Sequence, residues 1–178
     1  MQRVALETAR LLLRHWRRAD RMPFYALNAE PEMLRHLAPL SNARLDAMLD
    51  RWEAHFDQYG YSYWAIEEKS SGALIGACGL SHVASDVPFA PAVEIGWRLG
   101  SAWQGRGLAR EAAEVVLDAA FHRFGIERVV SFTVPENEAS WGLMERLGMR
   151  RVGTFEHPNL PPGDPLRHHV LYEIEAPH

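Results

Sequence analysis

The chain has 178 residues, 47% of them apolar and 24% charged, the balance of a protein that can bury its own core without disulfide or metal staples. Nineteen Lys and Arg against 23 Asp and Glu leave a formal charge of −4, which argues against nucleic-acid binding by bulk electrostatics. A single cysteine, Cys78, excludes a disulfide framework and a cysteine-based zinc cluster, and the single lysine, Lys69, belongs to no Gly-Lys-Ser/Thr phosphate loop.

Residues 10–16 read as a first strand. Asp20 is placed to cap a short helix running to about Leu27, with Pro23 tolerated in its first turn, and residues 31–37 read as a helical turn or two. The arginines Arg10, Arg14, Arg17, Arg18 and Arg21 form a basic run expected to be solvated. From Ser41, a good N-cap, the residues Leu45, Met48, Leu49, Trp52, Phe56 and Tyr59 recur at helical spacing until Gly60 breaks the pattern. The period then changes. Residues 61–67 and 73–81 read as a hairpin turning at Lys69 to Gly72, and 82–91 as a loop.

Residues 92–99 form a further strand in which Glu94, Gly96 and Arg98 alternate with Val93, Ile95, Trp97 and Leu99. A strongly patterned helix starts at Leu108 and ends before Gly125; 129–134 is a β-branched strand; Asn137 caps a third helix that stops at Gly148. Two last strands, 151–155 and 169–174, flank the proline-rich loop 158–165. Helices interleave with strands while an antiparallel hairpin breaks any βαβ rhythm, so the class is α+β with a mixed sheet. No stretch approaches the roughly 18 apolar residues of a membrane helix, and no signal segment is visible, so a cytoplasmic protein of one domain over 1–178 is expected.

The most informative segment is Gln104-Gly105-Arg106-Gly107-Leu108-Ala109-Arg110, which follows a strand and opens a helix. Glycines there let backbone approach a ligand, and the free N–H groups of the helix start favour an anion such as pyrophosphate. A dinucleotide fingerprint is disfavoured, because Arg110 replaces its third small residue and the next strand ends in Val134-Pro135 rather than an acid.

Together with Arg10-Leu-Leu-Leu-Arg14, Leu74-Ile75-Gly76, Glu94-Ile95-Gly96-Trp97 and Asn137-x-x-Ser140 through Gly148-Met149, this loop resembles the GNAT N-acetyltransferases, and within them the RimJ/RimL type of ribosomal-protein N-terminal acetyltransferases. The resemblance implies a mixed, mostly antiparallel sheet flanked by helices with two central strands splayed apart. It implies acetyl-CoA as donor, direct transfer in a ternary complex to a primary amine (a small molecule or a protein N-terminus), and a homodimer. Backbone around Gln104, Gly105, Gly107, Leu108 and Ala109 would hold the pyrophosphate, with Arg106 and Arg110 either adding charge or remaining solvated. Trp97, Arg98 and Leu99 would offer main-chain groups to the pantetheine arm.

Glu94 would be the base, reached directly or through water, unless its polar face turns to solvent. The family's usual acid, a tyrosine seven residues after Asn137, is replaced by Met144; Ser140 is then the implied partner of the leaving thiolate, and Asn137 either holds the cofactor arm or simply caps the helix. Without turnover, the same residues would suit a regulatory acyl-CoA-binding domain. His168 and His169 point to opposite faces of a strand, so no metal is expected, and Cys78 reads as a buried small residue. The loops 82–91 and 158–165 are the expected determinants of acceptor specificity.

Overall fold

A computed structural model describes residues 3–178. Eight strands form one sheet in the order β1-β2-β3-β4-β5-β6-β8-β7. They are β1 (Leu6–Glu7), β2 (Leu11–Arg14), β3 (Tyr63–Glu68), β4 (Leu74–His82), β5 (Val93–Leu99), β6 (Arg128–Thr133), β7 (Arg150–Glu156) and β8 (His168–Glu175). The helices are α1 (Arg21–Asn28), α2 (Pro31–Leu34), α3 (Asn42–Tyr59), α4 (Leu108–His122) and α5 (Glu138–Arg146). Every neighbouring pair is antiparallel except β5 and β6, which are parallel.

The alternation of side chains along β3 shows how the two faces are covered. Ile66 belongs to the core beneath α4, where Leu108, Ala112 and Val116 pack on Leu11, Leu13, Ile75 and Ile95. Ala65, one residue earlier, faces α1 and α3 through Phe24, Leu27, Leu45 and Leu49. Burying a Leu or Val side chain contributes about 1.5–3 kcal/mol, so the α4 seam alone anchors that helix firmly. Ser41 caps α3 by accepting a hydrogen bond from the Arg44 amide at 3.3 Å, and Gly60 ends it at φ 82°. A smaller cluster, Val87, Val130, Phe155 and Leu171, holds the 82–91 loop against the far half of the sheet.

Two expectations give way. Asp20 does not cap α1: its carboxylate accepts both terminal nitrogens of Arg14, at 2.8 and 2.9 Å, and the Arg17 amide at 2.7 Å, closing the 3₁₀ turn ahead of the helix. Arg14 is accordingly not a solvated member of the basic run but 7% exposed, with Glu67 as its second acid at 2.6 Å. A local count of arginines carries no information about a carboxylate fifty residues away. The strand β1 is too short for any periodicity to announce it.

The feature that positions the site is the seam between β5 and β6. Their ladder registers only Val93 with Val129 and Glu94 with Val130. Beyond it the Ser131 hydroxyl donates to the Ile95 carbonyl at 2.9 Å, and then the strands part. Past that point the β6-facing edge of β5 has no strand partner, while its other edge stays paired with β4 as far as Leu99.

Candidate active site

The parting of β5 and β6 opens a cleft of about 1060 Å³. Its near end is made of backbone. Gly105 and Gly107 adopt φ 72° and 76°, the left-handed region that glycine enters without a side-chain penalty. A β-carbon on Gly105 would meet nothing within 4 Å, so the constraint there is conformation rather than space. Gly107 is the N-cap of α4 and has no side chain to cap it, which leaves the helix's first amides free at the cleft. Gln104, Leu108 and Ala109 line the same end, as does Arg110, which also pairs with Glu114 at 2.7 Å. This is a cradle suited to a pyrophosphate.

Arg106 behaves otherwise. It does not line the cleft; its guanidinium pairs with Glu68 at 2.9 Å, and Glu68 also accepts from the Trp103 indole at 3.2 Å. Arg10 holds the loop from the other side, donating to the Arg106 carbonyl at 3.0 Å and to Glu111 at 3.2 Å. Glu68 and Arg10 therefore fix the loop's shape from outside; Arg10 opens the Arg10-Leu-Leu-Leu-Arg14 motif, whereas no sequence signal marks Glu68. Gln104 spends its amide on the Leu99 carbonyl at 3.0 Å, tying the loop to the end of β5.

Along the cleft, Trp97, Arg98 and Leu99 line one wall and Ser131 to Val134 the other. The Asn137 carbonyl oxygen accepts from the Ser140 amide at 3.3 Å, so this side chain caps α5, and its amide donates to Thr133 at 3.1 Å. Ser140 lines the cleft one turn into that helix. Met144, at the position where the family places a tyrosine, is 1% exposed in the core beneath α4.

The far end is built from side chains. Glu94 faces the cleft and not the bulk solvent. Its carboxylate accepts from Ser81 at 2.9 Å, and burial raises its pKa to about 7 against the small lowering effect of that hydrogen bond. Two residues on, Gly96 leaves a space that Tyr63 fills. Tyr63, Gly79 and Gly96 stand in one row across β3, β4 and β5. The Tyr63 ring stacks on Trp52, with centroids 4.6 Å apart, and its hydroxyl lies 2.1 Å from where a Gly96 β-carbon would stand. Burial, then the Glu94 charge, drives the phenol well above its ordinary pKa, so it is a neutral hydroxyl at the cleft. Nothing in the sequence reading pointed to Tyr63; the glycine opposite it was the available signal.

His157, His169 and Phe132 complete this end, where Phe132 and Phe155 meet edge-on at 5.2 Å and burial lowers both histidine pKa values. Met33 of α2 and, just beyond that helix, His36 and Leu37 also line the cleft. The loops 82–91 and 158–165 supply none of this lining, whereas α2 does. Cys78 is fully buried and burial pushes its thiol pKa up, which removes it as a nucleophile. Among the described residues no group of three metal-ligating side chains occurs, and no helix is long and apolar enough to cross a membrane.

A row of free amides at one end of a cleft between parting strands, with a buried carboxyl near neutrality at the other, suits a transferase that moves an acyl group from a coenzyme A thioester. The Acetyltransferase (GNAT) domain family matches residues 10–150. The chain belongs to that family and transfers acetyl from acetyl-CoA to an amine. It is 28% identical to the ribosomal protein uS5-alanine N-acetyltransferase of Escherichia coli (strain K12), over 98% of this chain and 92% of that one. A solved acetyltransferase from Agrobacterium tumefaciens superposes with a TM-score of 0.80 at 27% identity, covering 98% and 96% of the two chains. RimL, the ribosomal L7/L12 α-N-protein acetyltransferase solved with coenzyme A, shares the fold at a TM-score of 0.78 and 17% identity, covering 97% and 98%.

Proposed function

We propose that this acetyltransferase works by direct transfer in a ternary complex, with Glu94 taking the proton of the attacking amine and Ser140 hydrogen-bonding the departing thiolate. The observation that carries the reading is Glu94 itself, a cleft carboxyl whose pKa near 7 lets it hold a proton at working pH and release it again. An amine arriving as ammonium must lose a proton before its lone pair can attack, and a base of this strength is matched to that step.

Bound acetyl-CoA supplies the activated thioester. The chain's own groups do the rest: Gly105, Gly107 and the amides of Leu108 and Ala109 hold the pyrophosphate, and the unpaired edge of β5 at Trp97 to Leu99 offers main-chain groups to the arm. Gln104 acts by tying the loop to β5, and Asn137 by fixing the start of α5. Ser140 is a weak acid, so it stabilises the thiolate while water delivers the proton. Relatives that modify ribosomal proteins support a protein N-terminus as acceptor, and a small-molecule amine fits the same chemistry. The reading further takes the protein to act in the cytoplasm and residues 1–178 as one domain.

The test is thiol release from acetyl-CoA against a panel of amines and N-terminal peptides. Wild type should show amine-dependent release, and Glu94→Gln should lose most of it while still showing a thermal shift with coenzyme A. Full activity in Glu94→Gln would sink the assignment of the base.

A further inference from the structure

Arg98 lies on the same face of β5 as Glu94, two pleats further along, and its side chain has no carboxylate partner among the described residues. Its one side-chain hydrogen bond is from a terminal nitrogen to the Asn28 amide oxygen at 2.8 Å. Asn28 is oriented for this by donating its own amide to the Phe24 carbonyl at 2.8 Å, at the end of α1. The acids of the neighbouring turn are committed elsewhere: Glu30 accepts from the Ser101 amide at 2.8 Å, and Glu32 pairs with Arg35 at 2.8 Å. Glu94 is held by Ser81 alone, so the two charges on this face do not neutralise each other.

A guanidinium has five N–H donors in a planar fork. Removing it from water without a counter-charge is unfavourable, and burial here does pull the Arg98 pKa down. The cleft that Arg98 lines gives a ligand access to its remaining donors. Four residues of strand set the Cα atoms of Glu94 and Arg98 about 13 Å apart, a gap that two long side chains narrow.

We propose that Arg98 binds an oxyanion group, carboxylate or phosphate, carried by the acceptor several bonds from its reacting amine. The acceptor then lies along one face of β5, ammonium toward Glu94 and anion toward Arg98, passing the Tyr63 hydroxyl over Gly96. This rests on the reading of Glu94 as the base and narrows the acceptor from any primary amine to one that bears an anionic group. A polyamine, cationic at both ends, is disfavoured by the same geometry.

Matched acceptor pairs test it: 6-aminohexanoate against 6-aminohexanamide, 6-aminohexyl phosphate against 6-aminohexanol, and N-terminal tetrapeptide amides with Glu against Gln at the third position. The expected result is a preference of at least tenfold in kcat/KM for the charged member of one or more pairs, the pair telling which oxyanion and which scaffold. Arg98→Met should bring that ratio toward one, and Arg98→Lys, which keeps the charge but loses the fork, should retain part of it. Calorimetry of the same acceptors on the coenzyme A complex gives a second readout, in which Glu94→Gln loses most turnover but keeps the charged-over-neutral binding preference. Equal use and equal binding of both members in every pair, or a preference that survives Arg98→Met, overturns the proposal while leaving Glu94 untouched. If Arg98→Met does not fold, the Arg98→Lys ratio decides; a ratio equal to wild type overturns it as well.

Discussion

The two ends of the cleft are made of different materials. At the donor end the contacts offered are main-chain amides, set by two left-handed glycines, a helix start and a strand edge. At the proposed acceptor end they are side chains drawn from separate parts of the chain: Glu94 and Arg98 on β5, Tyr63 on β3, His157 just after β7, His169 on β8, and the α2 segment. A backbone-built site tolerates side-chain change and fails when conformation changes. A side-chain-built site behaves in the opposite way, and that contrast sets the expected order of effects.

The largest effect falls on the acceptor end. Glu94→Gln should lower kcat by about 10²–10⁴-fold, the usual worth of a positioned general base. Wild-type kcat/KM should rise with pH through about 7 as Glu94 deprotonates, a limb absent in the variant. Stability moves the other way. The unfolded carboxyl has lost its proton by pH 5, whereas the folded one keeps it to about 7, so folding stability falls as pH rises through that window. Glu94→Gln should therefore melt higher than wild type at pH 8, by on the order of 2 kcal/mol allowing for partial exposure, and not at pH 4.

Next in size, Gly107→Val forces a β-branched residue to positive φ at a strain of about 1–3 kcal/mol. Calorimetry should show acetyl-CoA binding weakened tenfold or more. Tyr63→Phe removes one hydroxyl from the acceptor end and should reduce kcat/KM for the amine about tenfold while coenzyme A affinity holds. A loss of coenzyme A affinity there would break the division between the two ends. The smallest change is expected from Arg106→Ala, under threefold in acetyl-CoA affinity, because its charge is already paired with Glu68. A large loss would mean that this arginine leaves Glu68 to reach the phosphates.

The same division explains what could be read from the sequence. The donor end was legible because its conformational demands are written as glycines next to a helix start, a local signal within a few residues. Apart from the two-residue β1, the order of strands and helices was legible for the same reason, down to Ser41 and Gly60 as the limits of α3. Glu94 was visible as a lone carboxylate in a strand, although alternation could not say whether its face met solvent or a cleft. Tyr63 was not visible, because its role depends on a row of residues across three strands. Arg14 was read as a solvated charge, although Asp20 and Glu67 hold it; Arg106, left open between the pyrophosphate and solvent, pairs with Glu68, which lies far along the chain. Acceptor specificity was sought in the loops 82–91 and 158–165, which do not line the cleft, whereas α2 does.

The short ladder between β5 and β6 has a mechanical consequence. Two registered residue pairs and one serine hydroxyl bond stitch the two strands across the middle of an eight-stranded sheet, so the molecule resembles two boards glued along a third of their joint. A ligand arm lying in the open part of that joint acts as a spline. Amide exchange along the β6-facing edge of β5 should then slow when coenzyme A is added, well beyond the residues it touches. On this view the bound acyl donor would also be a structural member, filling the part of the joint that the strands leave open.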